Sequence, residues 1–163
     1  MRYLMAAAAA ALVLVGPAVA GEKVELGKLP KPVAAAVAKR FPKAETKAAS
    51  VSGAGDKAVY EVTLKEGGKN IDVGLTAAGA ITQIEQEYKF KDLPKAVAAK
   101  FEKKYPGATY TIIEAVINVK DGKEELEYYE AVLVTAGKKT FEAEVLPGGT
   151  FKGETEKKDA PKK

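Results

Sequence analysis

With no His and no Cys among its 163 residues, this chain is left with carboxylates as its principal acid–base groups. The missing types remove the usual general base near neutral pH, the thiolate nucleophile and the common transition-metal ligands together. Its two serines, Ser50 and Ser52, sit in neither a Gly-x-Ser-x-Gly elbow nor a Ser-x-x-Lys motif. Two Asp or Glu side chains facing one cleft could still work as an acid–base pair. The Glu residues, however, mostly take outward positions along strand-like segments, where a carboxylate is ordinarily solvated surface. No catalytic residue is assigned on that footing, and the chain is expected not to be an enzyme.

Two other motifs invite chemistry and fail on context. Gly53-Ala54-Gly55-Asp56-Lys57-Ala58 looks like part of a dinucleotide fingerprint. It falls between two strands rather than between a strand and a helix, so the helix end that would hold a phosphate is missing and a hairpin loop is expected. Asp121, Glu124, Glu125 and Glu127 gather carboxylates without the Asp-x-Asp-x-Asp-Gly spacing of a calcium loop. No cofactor and no metal ligand is therefore expected.

Residues 1–20 read as an export signal. Arg2 opens them, an apolar stretch runs from Leu4 to Val15, Gly16-Pro17 breaks it, and Ala18-Val19-Ala20 supplies the small residues before a cleavage at Gly21. The apolar stretch is short for a membrane span. The expected product is periplasmic or secreted and does not span the membrane after cleavage. Removing Arg2 leaves 25 basic against 22 acidic residues, a net charge of +3. Arg40 is then the only arginine, and the lysines are dispersed among Glu and Asp. Nucleic-acid binding is not expected, because no stripe of Lys and Arg is present to follow a phosphate backbone.

The elements that would position any site come in two sets. Leu29-Pro30-Lys31 opens an Ala/Val/Lys run that ends at Phe41-Pro42, and 64 positions later Leu93-Pro94-Lys95 opens another that ends at Tyr105-Pro106. Val33, Ala36, Val37 and Phe41 fall at helical spacing, as do Val97, Phe101 and Tyr105. After each run apolar residues alternate with polar ones: Tyr60, Val62 and Leu64, then Ile71, Val73 and Leu75. Glu66-Gly67-Gly68-Lys69, Asp121-Gly122 and Ala136-Gly137-Lys138 mark turns. The pattern predicts an α+β fold of two tandem repeats, each one amphipathic helix packed on a four-stranded antiparallel sheet. Boundaries are expected at 21–28 for a leader, 29–90 and 91–154 for the repeats, and 155–163 for a disordered tail.

These motifs are similar to those of the PepSY-like domains, including exported proteins that resemble the fold of the β-lactamase-inhibitor protein. The features are Leu-Pro before a basic helix, an aromatic-Pro stop, Tyr60-Glu61-Val62, and turn glycines before Ile81 and Phe151. The resemblance spans Leu29 to Glu154 in two copies. It departs where family members carry an Asp before the turn glycine and a Trp after it; Thr76 and Leu146, then Ile81 and Phe151, occupy those places, and the chain has no Trp. The resemblance implies an exported, non-catalytic binding protein, an inhibitor or sequestering partner of an extracytoplasmic protein. The alternative is a small-ligand or metal-ion sensor or carrier of the cell envelope.

An asymmetry between the repeats suggests where a partner would sit. If Tyr129, Ala131 and Leu133 face the helix, the other face shows Tyr128, Glu130, Val132 and Val134, with Leu146 from a neighbouring strand. These five are the candidate partner-binding residues, with Tyr128 as the anchor and Glu114, Glu130, Glu142 and Glu144 as a rim. Two readings of that face compete, that it packs against the first repeat or that it is exposed and docks a partner, and a different strand register is the remaining alternative.

Overall fold

The computed structural model describes residues 21–157. The expected signal peptide at 1–20 and the end of the expected tail at 158–163 lie outside the described residues. Nine strands follow one another as β1 (Glu22–Lys23), β2 (Glu45–Ser52), β3 (Val59–Glu66), β4 (Lys69–Thr76), β5 (Ile81–Glu87), β6 (Thr109–Lys120), β7 (Lys123–Val134), β8 (Thr140–Val145) and β9 (Phe151–Lys157). Helix α1 (Lys31–Arg40) precedes β2, and helix α2 (Lys95–Lys104) precedes β6.

The helices start and stop where the prolines require. Pro30 and Pro94 sit at the N-caps with φ of −54° each, where the absent N–H leaves nothing unsatisfied. The amides of Phe41 and Tyr105 donate the closing bonds to Val37 and Phe101, both at 2.8 Å. Pro42 and Pro106 then prevent continuation. Lys39 with Arg40, and Lys103 with Lys104, place cations at the negative ends of the helix dipoles.

The strands form one antiparallel sheet, each paired with its neighbours in chain order. This corrects the expectation of two tandem repeats, each a helix on its own four-stranded sheet. The two strand sets fuse because β5 pairs with β6, from Gln83 opposite Asn118 to Glu87 opposite Glu114. Two separate sheets would leave both of those edges with unpaired backbone groups, and pairing them removes the exposure. β1 adds a ninth strand inside the expected leader, Glu22 lying opposite Val51. β9 continues through Lys157, three residues into the segment expected as tail.

Both helices cover the same face of this sheet. Val33, Val37 and Phe41 pack with Val62, Leu64, Val73, Leu75 and Ile84 in one cluster. Val97, Phe101 and Tyr105 pack with Ile113, Ala115, Tyr129, Ala131, Leu133 and Val145 in the other. Ile84 lies directly opposite Ile117, which packs on the first cluster and shares its side of β6 with Ile113 and Ala115 of the second. The two cores are therefore adjoining parts of one layer. The second half of the sheet is not folded back onto the first half; they lie side by side.

The 64-position correspondence reappears in local geometry. Pairing leaves Lys47 as an extra residue in β2 and Thr111 as an extra residue in β6, each a bulge against the next strand. Thr82 in β5 and Lys152 in β9 are likewise extra, 70 positions apart. A further bulge at Glu127 in β7 has no counterpart in β3. It turns Glu127 and Tyr128 to one face together and restores Tyr129 to the helix side.

Candidate functional site

The face opposite the helices is built from the alternate residues of the same strands. Among the described residues no helix packs on it. Thr63 and Glu61 come from β3, Asp72 from β4, Glu85 and Glu87 from β5, and Glu114 and Val116 from β6. Tyr128, Glu130, Val132 and Val134 come from β7, and Glu142 and Glu144 from β8. Register makes these neighbours rather than scattered charges. Asp72 lies opposite Glu85, Glu87 opposite Glu114, Glu114 opposite Glu130, and Glu130 opposite Glu144. Carboxylates thus run across five adjacent strands, and the expected rim of Glu114, Glu130, Glu142 and Glu144 lies through the middle of the face.

Like charges directly opposite on a sheet repel, and partial burial removes the water that would screen them. Burial, reinforced by Asp72 and Glu61, pushes the Glu85 carboxyl up to about 7. Burial with Glu85 and Asp72 nearby pushes Glu114 up to about 7. Burial together with Glu142, Glu85, Glu114 and Glu144 pushes Glu130 up to about 8. Glu61 is raised in the same direction, by burial and then by Asp72. Thr63 donates a 2.6 Å hydrogen bond to Asp72, and Gln83 donates one of 3.0 Å to Glu85.

Cations reach this face from β9. Lys152, on its bulge, stands 3.0 Å from Glu144 and 3.7 Å from Glu127, with its ammonium 3.5 Å from the centroid of the Tyr128 ring. Lys157 pairs with Glu142 at 2.5 Å. Among the described residues no Lys or Arg lies within ion-pair distance of Glu85, Glu114 or Glu130. Lys65, Lys120 and Lys123 share the face by strand parity but sit toward the hairpin ends.

The five sequence-derived partner residues fall as follows. Tyr128 is on this face but only 5% exposed, enclosed beneath Lys152 rather than projecting. Burial, followed by Glu144, Glu130 and Glu127, holds its phenol above the usual range. Glu130, Val132 and Val134 follow it along β7, each half-buried. Leu146 stands just beyond β8, its amide donating to the Thr150 carbonyl in the turn. Ile112, 42% exposed, adds an apolar side chain beside Val132. Asp72, Glu85, Glu87 and Lys152 were missed by sequence reasoning. The alternation of Gln83, Glu85 and Glu87 in β5 was a usable signal; the bulge that turns Lys152 inward was not.

Two depressions mark the face. One of about 400 Å³ is lined by Thr63, Asp72, Glu87, Tyr110, Ile112 and Glu114 among others. The second, about 170 Å³, lies toward β1 and includes Ser50, Glu61, Gly74, Gln83 and Glu85. Among the described residues no three carboxylates converge closely enough to hold a metal ion. A neutral and a charged carboxyl side by side can exchange protons. The ladder spreads these groups along an extended sheet surface; two carboxyls acting on one substrate would face each other across a cleft.

No protein-family model matches the sequence, and no curated protein matches it significantly. Solved structures do match. A BLIP-like protein from Bacteroides fragilis is 16% identical with a TM-score of 0.59, covering 81% of this chain and 89% of its own. A DUF2874 family protein from Bacteroides uniformis is 17% identical with a TM-score of 0.62, covering 78% and 88%. A protein from Bacteroides eggerthii, provisionally assigned to the periplasm, is 15% identical with a TM-score of 0.63, covering 78% and 88%. At these identities the likeness is one of architecture, and the chain has a BLIP-like fold.

Proposed function

We propose that this chain is an exported, periplasmic, non-enzymatic protein of the PepSY-like type that binds another extracytoplasmic protein. The docking surface is the sheet face opposite the helices. The observation that carries this reading is a continuous nine-stranded sheet with both helices on one side and no described element on the other. Tyr128, Glu130, Val132 and Val134 lie on that side, Leu146 at its margin. The provisional periplasmic assignment of one structural neighbour supports the sequence reading of residues 1–20 as an export signal, and the BLIP-like fold of another supports a binding role. The action is steric, in that a broad face occludes or sequesters what it covers. The lack of His and Cys and the linear spread of the carboxylates support a binding role over a catalytic one.

Site-specific photo-crosslinking tests this. A photoreactive residue at Val132 or Ile112 is expected to trap a discrete extracytoplasmic protein in cell envelopes, and the same residue at Lys39 or Lys103, on the outer helix faces, is not. Equal trapping from both sides, or none from the sheet, would defeat the proposal.

A further inference from the structure

Charge on this molecule is segregated. The chain as a whole carries +4, yet the face opposite the helices holds Asp72, Glu85, Glu87, Glu114, Glu130 and Glu144 in cross-strand register. The lysines of the edge strand β9 neutralise only its near side, through Glu142 and Glu144. Glu114 lies between Glu87 and Glu130, and Glu85 lies opposite Asp72. Lys89 lines the depression beside Glu87 and Glu114, yet among the described residues no Lys or Arg forms an ion pair with Glu85, Glu114 or Glu130. A fold that keeps carboxylates opposite one another retains a repulsion that an external cation would relieve.

We infer that the segment docking on this face is cationic, a stretch of protein presenting Lys or Arg side chains to Glu85, Glu114 and Glu130. The inference rests on the reading of this face as a binding surface and names the chemistry of its partner. Lys152 displays how the face receives such a group: its ammonium sits on the Tyr128 ring with Glu127 and Glu144 to either side. Spacing favours several cations over one metal ion. Carboxylates on neighbouring strands stand about 5 Å apart, strand by strand, a repeat that separate ammonium or guanidinium groups can follow. The exposed Ile112 and half-buried Val132 give the aliphatic stems of such side chains a surface to lie on.

Protonation couples to this binding. Around Glu130 stand Glu142 and Glu144 of β8, Glu85 of β5 and Glu114 of β6. Around Glu85 and Glu114 stand Asp72 of β4, Glu61 of β3 and Glu87 of β5, with Lys89 lining the adjoining depression. Lys152 and Lys157 of β9 are engaged by Glu127, Glu144 and Glu142. Because burial and these acids raise Glu130, Glu114 and Glu85 into the neutral range, part of the ladder is protonated at pH 7. A cation favours the charged form, so docking expels protons and strengthens as pH rises from 6 to 9.

The test is titration of the full exported chain with decalysine and decaarginine peptides, with a Gly–Ser decapeptide and calcium chloride as comparisons, in low salt at pH 6 and pH 8.5. Calorimetry in two buffers of different ionisation enthalpy reads the released protons. The cationic peptides are expected to bind about tenfold or more tightly at pH 8.5 than at pH 6. At pH 8.5 the E85Q/E114Q/E130Q variant is expected to lose at least tenfold, while E22Q/E25Q/E102Q, comparable in charge change at that pH but elsewhere on the surface, stays within about twofold. Equal binding by both variants, no proton release, or binding of calcium without the peptides would overturn the inference. If crosslinking still maps a protein to this face while the peptides fail, the docking reading survives and the cationic partner does not. If crosslinking from the face fails as well, the docking reading falls with it.

Discussion

Arg40 and Glu124 lie 84 residues apart and meet as a two-point ion pair, Nε to Oε1 at 2.8 Å and Nη2 to Oε2 at 3.0 Å. The pair ties the last turn of α1 to the tip of the β6–β7 hairpin, one element from each expected repeat. It accounts for the only arginine among the described residues, because a planar fork matches a carboxylate at two points where lysine offers one.

Both side chains are more than a third exposed, so the pair contributes little despite its geometry. A double-mutant cycle with R40A and E124A is expected to give a coupling of about 0.5 kcal/mol, vanishing in 1 M salt. The Arg40 hydrogen bond holds the Glu124 carboxyl below its ordinary value of 4.5. This contribution is therefore present above pH 4.5 and is lost as pH falls through the lowered value. A coupling above about 2 kcal/mol, or one indifferent to salt, would mean the hairpin depends on this joint.

Much of the local structure was legible. Pro30, Pro42, Pro94 and Pro106 bracket the helices in the sequence and in the fold, and Val62, Leu64, Val73 and Leu75 alternate into the core as read. What could not be read was the junction of the two halves. Whether Gln83 to Glu87 pairs with another strand is a matter of backbone hydrogen bonding between distant segments, which leaves no residue-type signature. The face suffered for the same reason. Glu114 and Glu130 were recognised as acids near Tyr128, but their direct opposition depends on register, and register depends on bulges at Thr111 and Glu127. The cover that Lys152 lays over the Tyr128 ring could not be read, because the extra residue that brings it there is invisible until β9 is paired.

Gly79 and Gly149 should resist substitution for a reason Gly107 does not share. All three have positive φ, 82°, 82° and 72°, so each would strain an L-residue. A Cβ on Gly79 would also come 2.5 Å from the Pro32 carbonyl oxygen, and one on Gly149 would come 2.8 Å from that of Ala96, whereas Gly107 has open space. The two hairpin turns press on the first turns of α1 and α2. G107A is expected to cost about 1 kcal/mol, and G79A and G149A about 2 to 4 kcal/mol each, measured by chemical denaturation. Three equal values would show that backbone strain alone sets the penalty.

A single fused sheet predicts a single unfolding transition. Phe101 in α2 and Val33 in α1 are both fully buried, one in each adjoining core. F101A should remove about 3 to 5 kcal/mol and V33A about 1 to 3 kcal/mol. Each variant is expected to shift one common transition in calorimetry, with the calorimetric and van't Hoff enthalpies equal. Two separated transitions, each moved by only one of the variants, would show that the halves fold independently despite the β5–β6 pairing.

The carboxylate ladder should give this protein an inverted pH profile. Glu85, Glu114 and Glu130 have folded values of about 7, 7 and 8 against an ordinary 4.5, so folding favours their protonated forms. Their contribution is fully present below about pH 4.5 and is lost as pH rises through 7 to 8. The melting temperature should therefore fall between pH 5 and pH 8.5, while the lowered Glu124 acts only at the acid end. E130Q keeps the shape of a protonated Glu130 and removes its charge. It is expected to raise the melting temperature by about 3 to 6 °C at pH 8.5 and to change it by no more than about 1 °C at pH 5. It should also ease ionisation of Glu114, which lies opposite, so that less of the pH dependence remains than loss of one group would explain. A wild-type melting temperature that is flat or rising from pH 5 to 8.5 would mean that solvent reaches the ladder freely and that the repulsion across β6, β7 and β8 is screened.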